Sequence, residues 1–217
     1  IVGRTGAGKT TLVNLMLRII DPDDDMLYIG GKEIHKIPLQ ALRASTGYVM
    51  QDNFLFSDTI RNNIAFGDHT KSFDEIRQAA KMACVHDNIV DFPDGYETMV
   101  GERGVSLSGG QKQRISIARA LILDPEILIL DDALSAVDTD TEEKILENLK
   151  TLRRGKTNII IAHRISTLQN ADKIIVIDGA RIIEEGNHDE LVARGGMYAD
   201  LYHRQLLEKM KKEEYGL

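Results

Sequence analysis

The octapeptide Gly3-Arg4-Thr5-Gly6-Ala7-Gly8-Lys9-Thr10 leaves few folds open to this chain. It fits G-x-x-x-x-G-K-[ST], a loop whose backbone N–H groups close around an anion and which requires a buried strand before it and a helix behind it. Both flanks comply. Ile1-Val2 reads as the end of a buried strand, and Thr10 to Ile20 has helical apolar spacing at Leu12, Val13, Met16, Leu17 and Ile20. In that setting Gly3, Arg4, Thr5, Gly6, Ala7, Gly8, Lys9, Thr10 and Thr11 form a phosphate cradle at a helix N-terminus. Lys9 reaches the terminal phosphates, and the Thr10 hydroxyl is placed to ligate magnesium.

Two further segments carry the same chemistry. Ile127-Leu128-Ile129-Leu130 follows the helix stop Asp124-Pro125 and reads as a strand buried on both faces, which sets Asp131 and Asp132 at its carboxyl end. There Asp131 holds magnesium through water; the alternative is a solvated acidic pair that caps the next helix. Leu107-Ser108-Gly109-Gly110-Gln111 is a second anion cradle, with Ser108 as helix N-cap, bare backbone at Gly109 and Gly110, and a helix from Gln111 to Leu123. Read singly, Gln51 is a surface glutamine, Asp138 a helix N-cap or turn residue, and His163 a strand-end histidine. His35, His69, His86, His188 and His203 have no metal-ligand spacing among themselves or with Cys84 and read as structural or solvated.

In this order the motifs resemble those of the nucleotide-binding domain of an ATP-binding cassette transporter of the exporter type, and the resemblance covers nearly the whole chain. It makes Gly3–Thr10 the Walker A loop, Leu107–Gln111 the signature and Ile127–Asp131 the Walker B strand. Gln51, in Gly47-Tyr48-Val49-Met50-Gln51-Asp52, matches the Q-loop; Asp138, in Ser135-Ala136-Val137-Asp138, the D-loop; and His163 the H-loop. The resemblance implies that Asp132, His163 and Gln51 serve catalysis, that Thr10, Gln51 and Asp131 serve magnesium, and that Ser108, Gly109, Gly110, Gln111 and Asp138 serve a nucleotide. ATP and Mg2+ are the implied ligands. Asp91 to Gly104 resembles the stretch that exporters place before the signature, facing the membrane domains.

The expected fold is α/β: a P-loop NTPase core with a largely parallel sheet, plus a helical signature subdomain. Strands are expected around Met26–Ile29, Gly47–Met50, Ile127–Asp131, Thr157–Ala162 and Lys173–Asp178, with Asp178-Gly179 turning back into Arg181–Glu184. Residues 1–57 and 124–217 are assigned to the core and 58–123 to the helical part, where Phe73 to Val90 reads as amphipathic. Met197 to Met210 reads as a closing helix. The family carries an antiparallel subdomain ahead of Walker A, with an aromatic that stacks on adenine. Residues 1–217 are therefore expected to be the C-terminal part of a longer polypeptide, and Tyr28 is not that aromatic.

A net charge of −7, with no basic cluster in the middle of the chain, argues against nucleic acid as the main partner. No apolar stretch approaches the roughly 20 residues of a membrane helix, so membrane contact is expected through upstream transmembrane domains, at the cytoplasmic face of the cell membrane. The family pattern is broken at Asp132, where most hydrolysing members have glutamate. One methylene withdraws the carboxylate by roughly 1.5 Å, one C–C bond length. With an intact signature, this makes the chain resemble the degenerate-site subunit of a heterodimeric multidrug exporter, whose partner is a second nucleotide-binding domain with the catalytic glutamate. A homodimeric exporter with slow hydrolysis and a nucleotide-gated regulatory cassette remain as alternatives.

Overall fold

The computed structural model describes residues 1–101 and 105–215. Glu102, Arg103 and Gly104, the end of the stretch that resembles the exporter segment before the signature, lie outside the described residues. In chain order the elements are β1 (Val2–Gly3), α1 (Lys9–Met16), β2 (Tyr28–Ile29), β3 (Lys32–Glu33), α2 (Leu39–Ala44), β4 (Thr46–Val49), α3 (Ile60–Ile64), α4 (Phe73–Met82), α5 (His86–Val90), α6 (Gly109–Leu121), β5 (Ile127–Asp131), α7 (Thr139–Leu152), β6 (Thr157–Ile161), β7 (Ile174–Asp178), β8 (Arg181–Gly186), α8 (His188–Arg194) and α9 (Met197–Tyr215). They fall into two compact units, Ile1–Val13 with Ile160–Leu217, and Asn14–Ile159.

In the first unit β1 pairs in parallel with β7, Val2 opposite Val176 and Gly3 opposite Ile177, and β7 turns back antiparallel into β8. The turn is a two-residue hairpin with Gly179 at φ 52° and Ala180 at φ 58°, a primed geometry whose twist suits the flanking strands. Val2, Ala162, Ile165, Leu168, Ile174, Val176, Leu191 and Tyr198 form the core. Burial of these apolar side chains removes them from water and seats α8 and α9 against the strands.

In the second unit the strand order is β4-β5-β6, with β4 parallel to β5 in the register Val49 opposite Leu130. Leu128, Ile129 and Leu130 are almost completely buried, as a strand covered on both faces requires. Between β4 and β5 the described elements α3, α4, α5 and α6 are all helical.

Local chemistry revises several expected boundaries. The helix behind the glycine loop ends at Met16, short of Ile20, because Arg18 turns left-handed at φ 48° and the Asn14 carbonyl accepts from both Ile19 and Ile20 N–H. Phe73 to Val90 is two helices: Cys84 sits at φ 52°, and the carbonyls freed at the break are taken up by Asn148, which donates to Met82, and by Arg114, which donates to Cys84. The strand at Met26 shrinks to Tyr28–Ile29 and pairs with β3 across Gly30-Gly31, both at positive φ. The closing helix continues past Met210 to Tyr215.

Candidate functional site

The first unit holds the glycine loop. Gly8 takes φ 101°, a conformation closed to side chains at ordinary cost, and brings the backbone round to the start of α1. The hairpin tip supports the loop from below: the Ala180 N–H donates to the Ala7 carbonyl at 3.1 Å. Lys9 is 7% exposed and reaches back across the loop, its Nζ donating to the Gly3 carbonyl at 2.8 Å and the Arg4 carbonyl at 3.0 Å. A largely desolvated cation at the start of α1, behind a glycine-rich loop, has the chemistry to meet phosphate oxygens. Arg4, Thr5, Gly6, Thr10 and Thr11 are exposed around it.

His163, just past the end of β6, is exposed. Its backbone is held by Gln205 of α9, whose Nε2 donates to the His163 carbonyl at 2.6 Å while its Oε1 accepts from the Ile165 N–H at 2.8 Å. Gln205 has no sequence signal of its own, because the contact joins positions 42 residues apart.

The second unit holds the other four segments. Asp131 ends β5 and is 3% exposed; the Tyr48 hydroxyl lies 3.5 Å from its Oδ2. Burial first, and then the Asp131 charge, push the Tyr48 phenol up to about 12, so it stays a protonated donor. Asp132 is at φ 51°, a left-handed position that aspartate tolerates better than most side chains. Its carbonyl accepts from Ser135 Oγ at 2.9 Å, which closes the turn after the strand.

Ser108 caps α6 in a reciprocal box: its Oγ accepts from the Gln111 N–H at 3.2 Å, and Gln111 Oε1 accepts from the Ser108 N–H at 2.9 Å. Gly110 lies so close to the loop after Asp132 that a Cβ there would sit 2.7 Å from the Ala136 carbonyl oxygen. Gln113, buried one turn on, ties the same loop to α6 by donating to Ser135 Oγ at 3.0 Å and accepting from the Ala136 N–H at 2.9 Å. The helix N-terminus and the loop after β5 are thus one hydrogen-bonded assembly, and sequence reading missed Gln113 as its fastener. Asp138 caps α7, accepting from the Thr141 N–H at 2.9 Å, and this backbone hydrogen bond holds its carboxyl below the usual range. Gln51 is exposed beyond β4, with its carbonyl bonded to Asn53 Nδ2.

Among the described residues no group of three or more His, Cys, Asp or Glu could hold a metal ion. Thr10 in the first unit carries a hydroxyl, and Gln51 and Asp131 in the second carry an amide oxygen and a carboxylate, each a hard oxygen donor. Three histidines set aside at the sequence level have identifiable local contacts: His35 with Glu33, His86 with the Tyr96 hydroxyl, and His188 with the Tyr198 hydroxyl.

The chain has counterparts among known proteins. The chain is 50% identical over 207 residues to a probable multidrug resistance ABC transporter ATP-binding/permease protein of Bacillus subtilis, covering 95% of this chain and 35% of that protein. It is 48% identical over 215 residues to an ATP-dependent lipid A-core flippase of Syntrophus aciditrophicus, covering 99% of this chain and 36% of that one. The structure of a bacterial Atm1-family ABC exporter with ATP bound superposes with a TM-score of 0.90 at 46% identity, over 94% of this chain and 36% of that chain. The chain therefore spans about a third of the length of these relatives. The family profile described as ABC transporter matches residues 1–135, which take in the glycine loop, the Ser108 cap and the β5 aspartates, and the chain accordingly belongs to the ABC transporter family and has the ABC ATPase fold.

Proposed function

We propose that this chain is the ATP-binding part of a membrane exporter, that its own nucleotide site hydrolyses poorly, and that its signature completes a competent site on a second nucleotide-binding domain. Asp132 carries the reading. It follows the β5 aspartate where a base must reach the attacking water, and its side chain is one methylene shorter than glutamate. A general base works within about 2.6 to 3.2 Å of its proton, and a displacement of about 1 Å can cost roughly a hundredfold. The capped N-terminus of α6 carries no such defect, since Ser108, Gly109, Gly110 and Gln111 keep the box and the exposed backbone that an anion needs.

In this reading Lys9 and the N–H groups of Gly3–Thr11 bind and orient the phosphates, Gln51 and His163 contact the terminal phosphate and its water, and Asp138 faces the second domain. Thr10, Asp131 and Gln51 would hold magnesium, which supplies positive charge to the phosphate oxygens when bound. ATP binding draws the two domains together head to tail, and hydrolysis at the competent site resets them.

A groove in the second unit supports a membrane partner. Phe56 stacks on Phe66 at 4.1 Å, Arg119 lies over both rings, and Phe54, Met50 and Leu123 leave apolar surface exposed beside Gln51. Isolated exposed apolar residues are ordinary; a contiguous aromatic patch marks a contact surface. The occupant we assign is a permease segment, because relatives that this chain covers by about a third are named ATP-binding/permease proteins. No helix among the described residues is long and apolar enough to cross a membrane. In this reading the chain works at the cytoplasmic face of a membrane beside a permease part, as relatives named ATP-binding/permease proteins suggest.

Ser108→Arg tests the composite site. ATP binding by this chain should stay within about twofold, while turnover of the assembled complex falls at least tenfold, the scale of an Å-level displacement. Loss of this chain's own ATP with full turnover elsewhere would contradict the head-to-tail arrangement.

A further inference from the structure

We propose that Gln205 is a positioning residue for His163, and that α9 is thereby part of the hydrolytic apparatus; this rests on the reading of His163 as a residue of the ATP site. The side-chain amide spans the turn His163-Arg164-Ile165. Its Nε2 donates to the carbonyl at one end (2.6 Å) and its Oε1 accepts from the N–H at the other (2.8 Å). Those two backbone partners fix which end of the amide is oxygen and which is nitrogen. An amide used in this way replaces a missing peptide group. The turn leaves β6 after Ile161, where strand pairing has ended, and its backbone takes these two bonds from a helix far along the chain. With both made, the backbone of the His163-Arg164-Ile165 turn is held, and with it the point from which the exposed imidazole extends.

The far end of α9 is fastened too. Glu184 of β8 places its carboxylate on the first N–H groups of the helix, Oε1 accepting from Met197 at 2.5 Å and Oε2 from Tyr198 at 3.3 Å. Tyr198 is fully buried, and its hydroxyl bonds His188 Nδ1 at 2.9 Å. The hairpin that carries Glu184 also carries Ala180, whose N–H supports the glycine loop at Ala7. One β-hairpin thus sets both the loop that cradles phosphate and, through α9 and Gln205, the backbone of His163. Loss of the Gln205 contact would release the His163 backbone while the Ala180 bond to the loop that carries Lys9 stays in place. That route lets whatever contacts the C-terminal helix alter hydrolysis while leaving ATP affinity in place.

The test uses the full-length polypeptide with its partner domains, carrying Asp132→Glu so that the site on this chain turns over, and compares Gln205→Met, Gln205→Asn, His163→Ala and the Gln205→Met/His163→Ala pair. Gln205→Met removes both bonds at nearly constant volume; Gln205→Asn keeps the amide and loses the reach, and serves if the methionine variant does not fold. Each Gln205 variant should lower kcat about ten- to a hundredfold with KM for ATP within about twofold. Hydrogen exchange at the Ile165 amide should quicken while α9 stays protected. In the His163→Ala background Gln205→Met should add less than about twofold, because it acts through a residue already gone. The inference is overturned if His163→Ala abolishes turnover and both Gln205 variants leave kcat unchanged, or if Gln205→Met lowers turnover by the same factor with and without His163. If His163→Ala itself has no effect, the assignment of His163 to the site fails, and the role of Gln205 fails with it.

Discussion

Gly110→Ala tests whether the N-terminus of α6 and the loop after β5 are one packed assembly. The new Cβ would lie 2.7 Å from the Ala136 carbonyl oxygen, a backbone atom that cannot swing aside. Ala136 is further pinned by its N–H bond to Gln113 Oε1, and Ser135 by Gln113 Nε2, so yielding breaks buried hydrogen bonds. Overpacking against a backbone atom falls in the upper part of the usual range, about 2–3 kcal/mol, against about 1 kcal/mol that alanine gains over glycine within a helix. The net expectation is a loss of about 1–2 kcal/mol, or about 2–8 °C in Tm for a chain of this size. Gly109→Ala is the internal control, since its Cβ would meet only the Ala136 methyl at 3.3 Å and helix propensity offsets most of that contact. Thermal unfolding by circular dichroism, without nucleotide so that ligand linkage does not mask the difference, reads both. A Gly110→Ala protein as stable as wild type, or a Gly109→Ala protein equally destabilised, would refute the packing argument.

Lys9→Ala should weaken ATP binding about ten- to a hundredfold, because a hydrogen bond to a charged group contributes about 1.5–3 kcal/mol; a fluorescent-nucleotide titration that shows unchanged affinity counts against the phosphate cradle. The cap of α4 should be sensitive to acid: Lys71 first, and then the Ser72 N–H, hold the Glu75 carboxyl down at about 2, below its ordinary 4.5. A depressed carboxylate contributes stability that is present above the unfolded value and is lost as pH falls through the folded one. The Tm difference between wild type and Glu75→Gln should therefore be widest above pH 4.5 and narrow as pH falls toward 2. A difference that stays constant across that range would show that the ion pair and cap do not contribute.

What the sequence disclosed was whatever depended on local order. The glycine loop, the Ser108 cap, the apolar run into Asp131 and the return of β7 through Gly179 each declare themselves within a dozen residues, and all stand where the spacing put them. The features that escaped depend on distant partners. Phe73–Val90 looks continuous because its apolar spacing hardly falters, and only Asn148 and Arg114 make a break at Cys84 affordable in hydrogen bonds. Gln113 and Gln205 are ordinary polar helix residues by type; their importance comes from which backbone groups they meet across the fold. Asp138 shows the reverse limit, for it caps a helix as a lone aspartate would, and its local geometry alone assigns it no nucleotide.

In the proposed mechanism the short carboxylate at position 132 limits hydrolysis on this chain's own site. It is tested by Asp132→Glu in a complex whose partner domain, in this reading, has its catalytic glutamate replaced by glutamine, so that recovered turnover arises only from this chain's own nucleotide site. Glutamate at φ 51° costs about 1 kcal/mol more than aspartate in backbone strain, which the turn closed by Ser135 can absorb. A gain of about one to two orders of magnitude in ATP turnover at unchanged nucleotide occupancy is expected. Normal occupancy with no gain would contradict it and transfer the defect to another group of the site.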